Sequence, residues 1–567
     1  MVELHTYEGE NLKGQPWSCY PRPQMRRDSY VNLNGLWDFA VCKGAYDRKI
    51  LVPFCPESLL SGIHEHFREG CALRYRRRFT LPDGFNRGRV LLHIGAADQR
   101  LVCYVNGQRV GEHIGGYESM TFDITDALAQ ENEMIIRCHD DLRDKSQPYG
   151  KQTLKRGGMW YTPVSGIWQS VWLESVPDVY IRKLHVENRG ASVTITTEPA
   201  LEGKITVAGL GEFTLENGIA TIQPENPHFW SPEDPYLYDF TVETGEDRIA
   251  SYFALRTLEI REFDGYQRLC LNGKPYFFHG LLDQGYWSDG LFTPATPECY
   301  VNDILAMKEL GFNTLRKHIK VEPEEFYYQC DRLGMVVFQD MVNNGDYSFF
   351  RDTALPTLGV QTLDDRKMHP DPATRDGFLR GMEATVEQLR NHPCIFYWTI
   401  FNEGWGQFDS DAMYHHLKAM DDTRWIDTTS GWFRRKETDV DSRHVYFKPI
   451  RLEAGEKPLV LSEFGGYSYK PEGHAFNVDK TYGYGKFKNQ AAYAEAVEAL
   501  YRQQVIPAAE QGLCAAIYTQ VSDVEDETNG LLSYDRKVQK LTPERMRPIA
   551  QALQDAVTQS WENMIEW

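Results

Sequence analysis

NHPCIFYWTIFNEGWGQF, residues 391–408, decides how the rest of the chain is read. Asn391, His392 and Pro393 mark a helix end and a turn. Residues 394–401 then run apolar, aromatic and β-branched, with only Thr399 interrupting. A run without alternation predicts a strand buried on both faces, as in a parallel sheet. It delivers Asn402 and Glu403 at its C-terminal end, followed by Trp405 between Gly404 and Gly406, glycines that loosen the backbone. In a parallel α/β barrel, catalytic side chains sit at the C-terminal strand ends. An amide and a carboxylate beside an aromatic plate point to a sugar site. The plainer alternative is a glutamate that only caps the next helix.

Working outward, residues 259–567 alternate apolar strands with helical periods. Strands are predicted at 276–282, 314–318, 335–340, 395–401, 425–429, 443–446, 459–462 and 514–520. Helices are predicted at 297–310, 323–333, 375–389 and 490–511. Eight strands alternating with helices predict a catalytic (β/α)8 TIM barrel, with a long connection at 341–374. Residues 1–176 read as all-β, with short segments at 35–40, 72–79, 90–94, 101–105 and 134–138. Asn106-Gly107 is a hairpin signal. Together they predict a jelly-roll β-sandwich. Residues 177–258 form a smaller β unit of a size that suits an immunoglobulin-like β-sandwich.

Composition excludes more than it selects. A formal net charge of −20 disfavours nucleic acid and anionic membrane surfaces as partners. Aromatics make up 13% of the chain, which suits β-domain cores, sugar platforms or both. Eleven cysteines without a CxxC pair predict reduced, mostly buried thiols. With no signal peptide or membrane-length apolar run visible, a cytoplasmic location is expected. His64/His66 and His415/His416 lack the spacing of ligand pairs, and no phosphate loop or GxSxG elbow occurs, so neither metal nor cofactor is expected. A homo-oligomer is left open.

The strand ends carry the chemistry. Strand four ends in Asn402-Glu403, and strand seven in Glu463. Opposed carboxylates are what glycoside hydrolysis needs, one protonated and one ionised. Arg316, ending strand two, is the candidate cation for the ionised one. His318, Asp283, Asp340, Trp405, Trp432, Tyr446 and Tyr518 complete the expected substrate-binding set around the mouth. Loops of the jelly roll, such as 140–158, are expected to reach over that mouth.

The sequence resembles glycoside hydrolase family two, the family of β-galactosidases, β-glucuronidases and β-mannosidases. NLNGLWD at 32–38 and YVNGQRVGEHIGGY at 104–117 resemble its jelly roll, and NPHFWSPEDPYLY at 226–238 its middle domain. Residues 391–403 resemble its acid/base motif, and Ser462-Glu463-Phe464-Gly465 its nucleophile motif. The resemblance implies a retaining exo-acting β-glycosidase acting on a carbohydrate, with Glu403 as acid/base and Glu463 as nucleophile. It also implies Asn402 on the sugar 2-OH, Tyr446 on the nucleophile, and Tyr518 where many members have a Trp as subsite floor. The family's glucuronidases hold the sugar carboxylate with an Asn-x-Lys pair; here Glu527-Thr528-Asn529 stands in that place. Glu527 would repel a carboxylate, which disfavours β-glucuronidase; β-galactosidase is the expected activity because it is the family's commonest, not because a residue here selects galactose, with β-mannosidase as the alternative. From another class, a non-catalytic carbohydrate-binding protein is the second reading.

Overall fold

Eight parallel strands ring the C-terminal region of a computed structural model that describes residues 1–360 and 364–565. They are β1 (Phe278–Asp283), β2 (Thr314–Lys317), β3 (Val336–Asp340), β4 (Ile395–Asn402), β5 (Trp425–Ser430), β6 (Asp441–Val445), β7 (Leu459–Gly465) and β8 (Leu513–Thr519). Their order in the sheet is β5-β4-β3-β2-β1-β8-β7-β6, so among the described residues the backbone ladder runs round the barrel except between β5 and β6. Every residue of β4 is buried, because one face looks into the barrel and the other meets the helices. All eight expected strands are present, with ends moved by up to three residues. The shift that matters is in β7, which runs on through Glu463 to Gly465. Of the expected connection after β3, residues 361–363 lie outside the described residues, as do 566–567 of the expected barrel.

Helices Glu298–Glu309, Glu324–Leu333 and Pro372–Leu389 occupy the expected positions. The expected helix at 490–511 is α-helical over Gln490–Leu500 and Ile506–Glu510, with a wider π turn at Tyr501–Val505 between them. Ser410–Met420 is a helix beyond those expected, and Pro543–Ile565 opens where Thr542-Pro543 places a hydroxyl before a proline at the first helical position, a sequence signal for a helix start. Among the described residues no helix is long and apolar enough to cross a membrane.

The N-terminal part is a sandwich of a four-stranded and a six-stranded antiparallel sheet. Between them lies a core that includes Trp37, Phe39, Leu92, Cys103 and Ile136. The immunoglobulin-like unit packs a three-stranded sheet on a four-stranded one around Ile195, Ile205, Phe240 and Val242. One cysteine expectation is corrected. Cys42 and Cys71 stand at facing ends of two paired antiparallel strands, with Cα atoms 5.5 Å apart, and form a disulfide. The other nine are free and, apart from half-buried Cys19, buried. Cysteine usage therefore no longer argues for one compartment.

The sandwich reaches over the barrel by two segments. In the first, Tyr149 and Gly150 donate their N–H groups to Asn343 O, and the Tyr149 hydroxyl donates to Gly345 O at 2.8 Å. Asn344 Nδ2 donates to Ser146 O at 2.8 Å. In the second, Thr162 N–H donates to Glu525 Oε1 at 2.9 Å, Arg156 pairs with Asp526, and the Tyr161 hydroxyl bonds Glu527. The mouth is thus roofed by another domain where the connections after β3 and β8 emerge.

Candidate active site

β4 and β7 bring Glu403 and Glu463 to one place. Glu403 follows β4 in a left-handed backbone conformation (φ 52°), which costs an L-residue about 1 kcal/mol or more and is typical of functional turns. Its N–H is tied to Ser430 O at 3.0 Å, which fixes the turn to β5. Gly404 and Gly406 do more than loosen the chain. A Cβ on Gly404 would lie 2.4 Å from the Phe433 ring, and one on Gly406 2.5 Å from Asn344 O. Close approach requires both glycines.

Arg316 organises the floor. Its guanidinium is 1% exposed and donates to Asp340 Oδ1 (2.9 Å), Ser462 O (3.0 Å), Glu463 Oε1 (3.1 Å) and Asn402 Oδ1 (2.9 Å). Because a guanidinium only donates, the Asn402 oxygen must face it, which leaves the Asn402 Nδ2–H free to point at a ligand. His318 Nδ1–H donates to Asp340 Oδ2 at 2.7 Å and lies 4.0 Å from Glu463 Oε1. The Tyr446 hydroxyl donates to Glu463 Oε2 at 2.8 Å and accepts from the Thr519 hydroxyl at 2.8 Å. Burial alone would push the Glu463 carboxyl up. His444, Arg316, His318 and Lys151 outweigh it and hold the group at about 2.

His444 on β6 was not among the expected residues. Its Nδ1 is 2.7 Å from Glu403 Oε1 and 3.6 Å from Glu463 Oε2. One ligating atom from each of Glu403, His444 and Glu463 falls within a 4.8 Å span, so the two carboxylates approach that closely. The signal was present: Tyr446 was expected at the mouth, and a residue two positions away in a strand points to the same face.

Lys151, from the roofing segment, is the other unexpected residue. It is 8% exposed, its carbonyl accepts from Tyr161 N–H, its ammonium lies 5.6 Å from the centre of the Trp160 ring, and among the described residues that ammonium makes no hydrogen bond or ion pair. Its charge acts on Glu463, His318 and Glu527. Burial pushes Glu527 up to about 7, against the Tyr161 hydroxyl, Lys151 and Gln520.

Three expected residues, Trp405, Tyr518 and Asp283, are placed otherwise. Trp405 is buried among Tyr149, Trp160 and Tyr347, with its Nε1–H on Gly345 O, so it holds the roof instead of offering an open plate. Tyr518 is fully buried against Phe464 and Tyr501, and its hydroxyl accepts from Tyr467 N–H. Strand alternation explains this: Thr519 faces Tyr446, so Tyr518 faces the helices. Asp283 accepts from Lys317 Nζ at 2.6 Å and from Gly285 N–H at 2.9 Å, apart from the carboxylate pair. Trp432 stands beside the site, its ring 5.9 Å from that of His444. Asn402, Arg316, His318, Asp340 and Tyr446 are the expected residues that the fold gathers around Glu403 and Glu463, with Trp432 at their edge beside His444.

The model of glycosyl hydrolases family 2 matches residues 178–256, and the model of that family's TIM barrel domain matches 263–507. Together they take in more than half of the chain, which belongs to glycoside hydrolase family two. A β-galactosidase of Thermoanaerobacter pseudethanolicus is 27% identical over 459 residues, 72% of this chain and 58% of that protein. A β-glucuronidase of Felis catus is 25% identical over 409 residues, 62% of this chain and 58% of that protein. The chain thus spans less than two thirds of the length of these relatives. Among solved structures, a β-D-glucuronidase of Dictyoglomus thermophilum superposes with a TM-score of 0.72 at 17% identity, covering 94% of this chain and 98% of its own. A β-galacturonidase of Eisenbergiella tayi bound to galacturonate gives 0.67 at 17% identity, with 95% and 99% covered. These two show a shared fold.

Proposed function

We propose that the protein is a retaining, exo-acting β-glycosidase. The observation that carries this is the approach of the Glu403 and Glu463 carboxylates within 4.8 Å. Retaining enzymes hold their carboxyl groups about 5–5.5 Å apart, whereas inverting ones leave roughly 6.5–9.5 Å for a water. Glu463, held ionised, attacks the anomeric carbon as the glycosidic C–O bond breaks, and Glu403 gives its proton to the leaving oxygen. Glu403 then takes a proton from water, whose oxygen attacks the same carbon and releases Glu463. Asn402 Nδ2–H meets the sugar 2-OH, and the Tyr446 hydroxyl keeps Glu463 Oε2 aimed.

A β-galactoside is the first substrate to try, with a β-mannoside as the alternative. A β-uronide is a second reading, favoured by one observation: the Lys151 ammonium has no hydrogen-bond or ion-pair partner among the described residues. Glu527 on the same wall argues against it. A panel of aryl β-glycosides, galactoside, mannoside, glucuronide and galacturonide, separates these by kcat/KM. Glu463→Gln should lower turnover of the best substrate by about a thousandfold or more. Unchanged turnover, or no aryl glycoside accepted by the wild type, rules the proposal out.

A further inference from the structure

We infer that His444 is a positioning residue for the acid/base: its Nδ1–H holds Glu403 Oε1, directs the transferable proton to Oε2, and stabilises the carboxylate left after proton transfer. The inference rests on the acid/base reading of Glu403.

The fold builds this contact deliberately. In the β6–β7 ladder Arg443 pairs with Leu461 and His444 with Glu463, so Ser462 is skipped as a bulge. A bulge re-aims side chains, and this one sets His444 opposite Glu463. The ring is fully buried. A Cβ on Gly431 (φ 85°) would lie 2.4 Å from it, so the chain passes the imidazole as closely as glycine allows.

The 2.7 Å contact with Glu403 Oε1 takes its hydrogen from Nδ1, and on the ring's far side Nε2 has both a donor and an acceptor within reach. Nε2 lies 3.4 Å from Arg316 Nη1 and 3.2 Å from Ser430 Oγ. Ser430 Oγ–H donates to Ser462 Oγ at 3.0 Å, and Ser462 Oγ–H donates onward to Arg443 O at 3.2 Å. The Ser430 proton is therefore spent, and its oxygen can only accept from His444. With Nδ1 protonated, a neutral ring turns its Nε2 lone pair to the positive Arg316 guanidinium, whose Nη1 hydrogens already go to Ser462 O and Glu463 Oε1, and an imidazolium donates Nε2–H to Ser430. In both states Nδ1 carries the hydrogen that meets Glu403. With Oε1 so occupied, the proton of the acid form belongs on Oε2. When that proton has gone to the leaving oxygen, Nδ1–H bonds a carboxylate, and a charge-assisted bond is the stronger one.

Other ionisable groups face this pair. Glu463 (β7) and Arg316 (β2) flank the ring, while Tyr347, Tyr446, Tyr482 and Tyr484 surround Glu403. The tyrosines stay neutral in the working range, since burial raises them all. Glu463 stays ionised and Arg316 stays charged. The charged or donating groups beside the Glu403 carboxyl are thus the Glu463 carboxylate and the His444 Nδ1–H.

The test is the pH profile of kcat/KM on the best aryl glycoside. His444→Phe removes the donor, so the alkaline limb should move up by about one pH unit, a tenfold change in the protonated fraction. His444→Asn can still present an N–H to Oε1 and should bring the limb back towards wild type. An unmoved limb in His444→Phe, or an equal shift in both variants, overturns the inference. If His444→Phe does not fold, His444→Leu gives the same reading. Independently of any variant, the wild-type ¹⁵N imidazole spectrum should show one buried histidine with Nδ1 protonated through the alkaline limb; a bare Nδ1 sinks the idea. Glu403→Ala separates the two levels. It should slow poor leaving groups far more than activated ones, and equal losses would overturn the acid/base reading itself.

Discussion

Arg316 and Lys151 are both buried cations that face the same two carboxylates' surroundings, yet they are held in opposite ways. Arg316 rises from a barrel strand and spends its guanidinium on Asp340, Glu463, Asn402 and a backbone carbonyl. Lys151 arrives on a segment of the jelly roll, and among the described residues its ammonium lies by the Trp160 ring without a hydrogen bond or ion pair. The wall that would do chemistry is complete before substrate comes, as preorganised electrostatics requires. The wall made by another domain keeps polar groups uncommitted, which is how a site recognises a ligand it has yet to meet. The difference divides the mouth into a part that sets the reaction and a part that selects the sugar.

The largest break in that comparison is Arg316→Met. It leaves Asp340 and Glu463 buried without their cation, and breaking a buried pair typically costs about 3–5 kcal/mol. Thermal unfolding should report a loss of that order, with activity lost as well. Arg316→Lys should recover only part of either, because an ammonium cannot serve Asp340, Asn402 and Glu463 in one plane. A variant as stable as wild type would mean that the floor is not held by this residue.

Next in size is the acid response of the same wall. The Glu463 carboxyl is held at about 2 in the folded protein against an ordinary value of 4.5. A lowered folded value stabilises above the unfolded one, so the contribution is whole above pH 4.5 and drains as pH falls towards 2. Its size is on the order of 3 kcal/mol. Wild-type stability should therefore fall more steeply across that window than that of Glu463→Gln, which has no proton to bind there. Parallel curves for the two proteins would contradict it.

What the sequence made legible follows the same division. The barrel could be read because parallel strands buried on both faces leave unbroken apolar runs such as 394–401. Glu403, Glu463, Asn402 and Arg316 could be read because strand ends converge on one mouth. His444 was missed although Tyr446 stood two residues on, since the ladder register that seats it depends on a bulge at Ser462 that no local pattern announces. Lys151 was missed because it belongs to another domain, and only the packing of Tyr149–Gly150 on Asn343 brings it in. Trp405 and Tyr518 were misplaced for a further reason. An aromatic at a strand end can turn to the mouth or to the core, and here neighbouring aromatics claim both rings.

The smallest effect is the one that sharpens the contrast. Lys151→Met removes a charge that has no hydrogen-bond or ion-pair partner among the described residues, so its melting temperature should stay near wild type, unlike that of Arg316→Met. Its cost should fall on recognition: a lost charge-assisted hydrogen bond is worth about 1.5–3 kcal/mol, a rise in KM of tenfold or more on the preferred glycoside. The sugar decides how the loss is distributed. If Lys151 meets a hydroxyl, galactoside and mannoside suffer while uronides stay poor; if it meets a carboxylate, the uronide loses most and its advantage over the neutral sugar disappears. A lowered melting temperature with KM unchanged would place Lys151 with Arg316 as a structural cation, and the second wall would then have to find its selectivity in Glu527 and its neighbours.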